Sequence, residues 1–244
     1  MLKRMLTSAL IAGFAAGLLA ALLHFTFVQQ LILIGEQYET GEAVHYQGVA
    51  PADAGHPHDA AEPADHSHAA SGDKAAPSDL TRNALTVLVS ALVYVAYALV
   101  LVAGFGLLTM MGRTISPAEG ILWGIGGFAA FQMAAALGLP PELPGTMAAD
   151  LTARQVWWWG TALATATGLG LLAYGRGLAF HAVAIALLAA PHLVGAPELD
   201  GFSGLAPPEV AAAFSARVLG VGLTVWAFLG GLARWMWARS DTTG

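Results

Sequence analysis

The chain has 244 residues, of which 57% are hydrophobic and only 11% charged, with a net charge of −6 and no cysteine. That balance excludes a water-soluble globular domain, in which about a quarter of residues are charged. The lack of thiols excludes disulfides and thiolate metal sites, so nitrogen and oxygen are the only available metal ligands.

A membrane-spanning helix needs about 20 mostly apolar residues. Six stretches meet or approach that length: 5–28, 84–111, 117–139, 156–174, 178–194 and 214–237. The first follows Lys3 and Arg4, runs on toward Ile34 and carries His24 in its outer half. A signal peptide is the alternative, but the apolar run is longer than a signal core and no small-residue cleavage pattern closes it, so a retained helix is expected.

Between the first two stretches, residues 47–79 are rich in Ala, Pro, Gly, Ser, Asp and His, with almost nothing large and apolar to bury. A disordered extracytoplasmic loop is expected there. Five of the eight histidines, His45, His56, His58, His66 and His68, lie in or beside it, among Asp53, Asp59, Glu62 and Asp65. Imidazole and carboxylate together suit borderline divalent transition metals. A site that must order itself on binding is suited to capture and release rather than storage. An acidic solvated linker with incidental histidines is the competing reading.

The second stretch is free of charge between Arg82 and Arg113, and the third opens at Ser116-Pro117-Ala118-Glu119, a capping-box pattern. Gln132 is a polar residue within the third stretch, and Glu142 comes shortly after it. Trp157, Trp158 and Trp159 at the outer end of the fourth stretch, and Trp235 and Trp237 at the inner end of the sixth, are expected as headgroup anchors. Gly120 and Gly124, and Gly160, Ala164 and Gly168, have the spacing that lets helices approach closely. The fifth stretch is short and contains His181, Pro191 and His192, so a tilted, broken or re-entrant element is an alternative to a plain span. Pro207-Pro208-Glu209 opens the sixth.

Six spans place Lys3, Arg4, Arg113, Arg176, Arg234 and Arg239 on one side against only Glu119 and Asp241, while every other acid falls opposite. By the positive-inside rule the termini are cytoplasmic and the histidine loop is outside. Five spans would put Arg234 and Arg239 on the wrong face. The expected fold is an all-α polytopic transmembrane helix bundle of five to six spans, a single membrane domain over 1–244 interrupted by the loop at 47–79.

His24 and His192 fall at comparable depth below the outer surface, where a polar side chain is costly unless it faces the bundle interior or water. They are expected to form a transfer site beneath the loop, with Glu142 or Glu36 near its mouth, Gln132 along the path and His181 toward the exit. Each histidine bonding only a neighbouring helix is the bland alternative. No Gly-Lys-Ser or Gly-Lys-Thr loop and no HExxH pair occurs, and the only lysines are Lys3 and Lys74. The sequence thus gives no sign of a P-loop ATPase, a zincin protease or, with so few basic residues, a nucleic-acid binder. No enzyme activity and no tightly bound cofactor is expected.

Several segments together resemble the CbtA family of predicted cobalt transporter subunits. They are Arg4-Met5-Leu6 leading into the helix with His24, the histidine-bearing loop, the run from Leu139 through Pro140, Pro141, Glu142, Leu143 and Pro144 to Gly145, the run from Arg154 and Gln155 through the three tryptophans to Gly160, Thr161 and Ala162, and Pro191-His192-Leu193. The resemblance implies an integral protein of the bacterial inner (cytoplasmic) membrane, associated with cobalt uptake for cobalamin synthesis. It also implies a small histidine-bearing partner subunit, CbtB, and about five spans rather than six. The expected substrate is Co²⁺, with Ni²⁺ and Zn²⁺ left open because nitrogen and oxygen ligands do not rank them by identity. The lipid bilayer is the first expected partner, and a homo-oligomer stays open. The rival function is a non-transporting scaffold or accessory subunit that delivers metal to, or senses it for, another protein.

Overall fold

A computed structural model of the chain describes residues 2–44, 78–199, 201 and 204–239. Among these the structure is all-helical, with one isolated antiparallel bridge, Thr146 to Gly204, and no strand. Hydrocarbon offers no partner to backbone N–H and C=O groups, so a chain this apolar must satisfy them within each segment, which a helix does.

Six helices result. The first, α1, is Leu2–Glu39, and α2 is Asp79–Met110. The third, α3, is Pro117–Phe128, continued through a wide turn at Ala129–Met133 to Ala134–Ala136. Then come α4 (Leu151–Tyr174), α5 (Leu178–Val194) and α6 (Pro208–Arg239). Three of them, α1, α2 and α6, are long and apolar enough to cross a membrane, and α5 is a shorter apolar helix. At 38 residues for α1 and 32 each for α2 and α6, they are roughly 57 and 48 Å long at 1.5 Å per residue. The hydrocarbon core is only about 30 Å thick, so each has length to spare.

Local chemistry sets the ends. The Ser116 hydroxyl accepts from the Glu119 N–H at 3.2 Å, and the Glu119 carboxylate accepts from the Ser116 N–H at 2.6 Å, closing the capping box that opens α3. Ser78 and Asp150 cap α2 and α4 in the same manner, through Thr81 and Ala153 N–H groups. Gly177 and Gly195, both at positive φ, bracket α5.

The core is built on α6, which packs against α1, α2 and α3. Trp226, Val225, Leu229 and Ala233 on α6 are fully buried with Ala9, Ala12 and Ala16 of α1 and Val102 and Phe105 of α2. Close approach is possible because glycine faces glycine: a Cβ on Gly124 would collide with the backbone of Trp226, and one on Gly230 with the backbone of Gly120. Gly13 and Gly17 meet the α2 backbone at Val95 and Ala91 in the same way. Helix α5 is peripheral and packs only on α4.

Helix ends gather into two groups. At one end Arg4 donates to the Trp237 carbonyl and lies 3.7 Å over its ring, Arg234 donates to the Ile115 carbonyl, and Trp123 donates to the Tyr174 hydroxyl. At the other, Gln29 meets Asn83, Arg82 pairs with Glu36 at 3.7 Å, and Ser215 donates to the Pro141 carbonyl. The first turn of α1 and the last turn of α6 thus share one end, which also carries Arg113 and Arg176. The opposite end carries Glu36, Glu39, Glu142 and Asp150.

The tryptophan expectation needs correction. Trp159 and Trp235 are exposed, but Trp157 and Trp237 are buried. Consecutive helical residues are turned about 100° apart, so a run of three cannot all face the headgroups.

A contrast between two glycines on α3 tests the packing. Gly124→Leu should cost at least the roughly 1–3 kcal/mol typical of overpacking and lower the melting midpoint of the detergent-purified chain. Gly126→Ala, where a Cβ meets nothing within 4 Å, should leave it unchanged or slightly raised.

Candidate functional site

Two wide turns interrupt the helices, and each contains one of the polar residues that the sequence places within an apolar stretch. In α1 the His24 carbonyl accepts from the Gln29 N–H five residues on, so the π-turn His24–Val28 begins at His24 itself. In α3 the Ala129 carbonyl accepts from the Ala134 N–H, and the turn contains Gln132. Such turns insert an extra residue, rotate the remainder of the helix about its axis and are frequent at functional sites. Both pack against α6.

His24 is half-buried and meets Phe25 edge-to-face at 5.8 Å. Just beyond it, Arg217 on α6 donates to the Phe27 carbonyl at 3.0 Å. His192 is exposed on α5, edge-to-face with Trp157 at 6.3 Å, and the Trp157 indole N–H donates to the Pro191 carbonyl at 3.2 Å. That bond pins the C-terminal end of α5 to α4. His181 is exposed and its Nδ1 bonds the Gly177 carbonyl. Because α5 touches only α4 while α1 packs on α2 and α6, the helices that carry His24 and His192 are not neighbours. Among the described residues no three His, Asp or Glu side chains come together as a metal-holding group. His45, His56, His58, His66 and His68 lie outside the described residues.

Glu142 is the expected acid whose setting is best defined. The segment between α3 and α4 is tied down by the buried Leu143, which packs with Val28 and Leu31 of α1 and Phe214 of α6, and by Ser215 at the Pro141 carbonyl. Gly145, at φ +77, lies against Leu205 and Glu39. Held this way, Glu142 accepts from Arg154 Nη2 at 2.9 Å, with both side chains a little over a quarter exposed. The pair lines a cavity of about 400 Å³ between the C-terminal end of α3, the first turns of α4 and Val218 and Leu219 of α6; Gln132 and Gln155 line it too. The sequence does not reveal Arg154 as the partner of Glu142. Its one visible signal there is that it is among the few bases in the midst of the outer acids.

A second cavity, about 320 Å³, lies between α2, α3 and α4 toward the basic end and is mostly apolar. Among the described residues, the buried side-chain polar atoms without a partner are Ser8 Oγ, Gln132 Oε1, Thr165 Oγ1 and Trp226 Nε1.

Residues 2–238 match the family described as "probable cobalt transporter subunit (CbtA)". The chain belongs to the CbtA family. It is therefore a membrane protein of a cobalt transporter family and one subunit of such a system, with metal as its substrate. No curated protein and no solved structure matches it.

If the Trp157 to Pro191 bond holds α5 in place, Trp157→Phe should cost about 1 kcal/mol. Amide exchange along 178–194 should quicken while that of α1 and α6 stays unchanged, as read by hydrogen-exchange mass spectrometry.

Proposed function

We propose that this chain is a six-span subunit of the bacterial inner membrane that takes up Co²⁺ for cobalamin synthesis. The match to CbtA over nearly the whole chain carries the reading. The two groups of helix ends support its orientation: the basic end suits the cytoplasm, by the positive-inside rule, and the acidic end suits the outside. The histidine loop at 47–79 joins helix ends on the acidic side and gathers cations there, through His45, His56, His58, His66 and His68. Glu142 stands at the outer cavity and His24 supplies the first imidazole below the surface. His192, on a helix not adjacent to α1, is a second and separate ligand position rather than half of one site.

A divalent ion does not enter hydrocarbon with its water shell intact. Oxygen and nitrogen ligands along the bundle replace that shell in part, which is what intramembrane polar residues offer. Among the described residues no three such groups gather at one point, so the coordination is completed by the loop, by water or by the partner that the word subunit implies. A small CbtB-type membrane protein fits that role. The same observation favours one rival, an accessory that captures metal and passes it on without conducting it.

Two experiments test this. The chain has no cysteine, so single cysteines introduced as Ser67→Cys and Ser240→Cys report sidedness directly. An impermeant maleimide applied to intact cells should label the first and not the second; the reverse pattern would overturn the orientation. Uptake of radioactive cobalt into sealed vesicles, with and without the partner, tests transport. His24→Ala should slow it roughly tenfold or more, the scale of losing one ligand. Replacing the five loop histidines by alanine should raise the half-saturating concentration while sparing the maximal rate. A defect confined to the loop variant would leave only the accessory role.

A further inference from the structure

The outer cavity is lined mainly by apolar side chains, among them Phe131, Leu139 and Trp158, and its charged lining is a single acid and a single base, Glu142 and Arg154. As the structure stands, these two neutralise each other at 2.9 Å. A divalent cation entering so apolar a space needs the carboxylate, because an uncompensated charge there is costly. It can have the carboxylate only if the guanidinium lets go.

Two features make Arg154 displaceable, and a third makes it a competitor. It is the fourth residue of α4, close to the positive end of the helix dipole, so its own helix does not favour a cation there. Its side chain is partly exposed and has a path to water. Its charge is permanent, so it competes with an incoming cation at every working pH. Beyond the pair, Gln132 lines the same cavity, and its Oε1 is buried without a hydrogen-bond partner. That oxygen rests against Gly222 of α6, where a Cβ would collide with it, so it lies in the seam between α3 and α6 and the cavity's open charged lining is the pair alone.

We infer that the cavity is a cation-binding station in which Arg154 occupies Glu142 until a divalent ion displaces it. This rests on the cation-transport reading above and adds a control to it. The step is ligand exchange alone: the metal exchanges water for carboxylate oxygen, and the guanidinium exchanges carboxylate for water. Competition keeps binding weak enough for the ion to leave again, and the returning arginine helps to expel it.

The test uses the full-length chain in detergent with the five loop histidines replaced by alanine, so that loop binding does not mask the station. Co²⁺ is titrated while tryptophan fluorescence is followed, since Trp158 and Trp159 line the cavity and Co²⁺ quenches nearby indole. Arg154→Gln should lower the half-quenching concentration roughly tenfold, the scale of removing a close competing charge. Arg154→Lys, which keeps the charge, should stay near the parent. Glu142→Gln should abolish the saturable phase, alone or combined with Arg154→Gln. A melting midpoint close to the parent's identifies folded variants, and Arg154→Lys against Arg154→Gln still decides if the Glu142 variant fails to fold. Quenching unchanged or weakened in Arg154→Gln, or surviving in Glu142→Gln, would overturn the inference. Vesicle uptake separates the two levels: normal cobalt uptake without this quenching pattern sinks the station and leaves the transport reading intact. The quenching pattern without uptake, with or without partner, does the opposite.

Discussion

Backbone against backbone between α3 and α6 is the contact on which the rest of the bundle depends. With Gly124 and Gly230 in register, no side chain holds the two helices apart, and the full faces of both are buried. In lipid there is no hydrophobic drive to bring helices together, so dispersion over such close surfaces has to do it. The same register sets Trp226 against Gly127 and lets it meet Phe131 in a stacked pair at 5.8 Å. One turn nearer the acidic end, Gly222 leaves the room that the Gln132 side chain fills. The polar group in the middle of α3 is therefore where it is because α6 lacks a side chain opposite it.

Charge organises what packing leaves open. At the basic end, arginines close the bundle onto carbonyls and rings: Arg4 on Trp237, Arg113 over Tyr174, Arg234 on Ile115. At the acidic end the arginines serve carboxylates as well, Arg82 on Glu36 and Arg154 on Glu142. The acids there outnumber such partners, which leaves that end with a surplus of negative charge. A subunit that accepts metal from one side needs this asymmetry, and it arises from the loops rather than from the apolar cores of the helices.

What the sequence made legible is what depends on one dimension. The apolar stretches, the capping box at Ser116 and the small-residue spacing at Gly120 and Gly124 are local patterns, and the structure places each in a helix, at a helix start or at a helix contact. Azimuth and neighbour order were not legible, so nothing in the spacing revealed that α5 touches only α4 and carries His192 away from α1. The wide turns at His24 and Ala129 were equally hidden, because they answer to how α6 packs against both helices. The bond between Glu142 and Arg154 spans twelve residues across an irregular segment, and its register is set by Leu143 and Ser215, contacts that appear only once α1 and α6 are in place. The tryptophan run misleads for a plainer reason: hydropathy reports how deep a residue lies but not which way it turns.

The helix at the centre of the core is made after the other five. Helix α6 meets α1, α2 and α3, yet it leaves the ribosome after all of them. Until then α1 and α2 have each other, through Gly13 and Gly17, and α4 and α5 have each other, while α3 lacks its main surface. The nascent protein therefore passes through a stage of two helical hairpins and a third segment held only by its contacts with α4 and α2, and it becomes a bundle only once α6 has emerged. A transcript truncated before Pro208 would yield a chain that inserts but never consolidates, a natural substrate for membrane quality control.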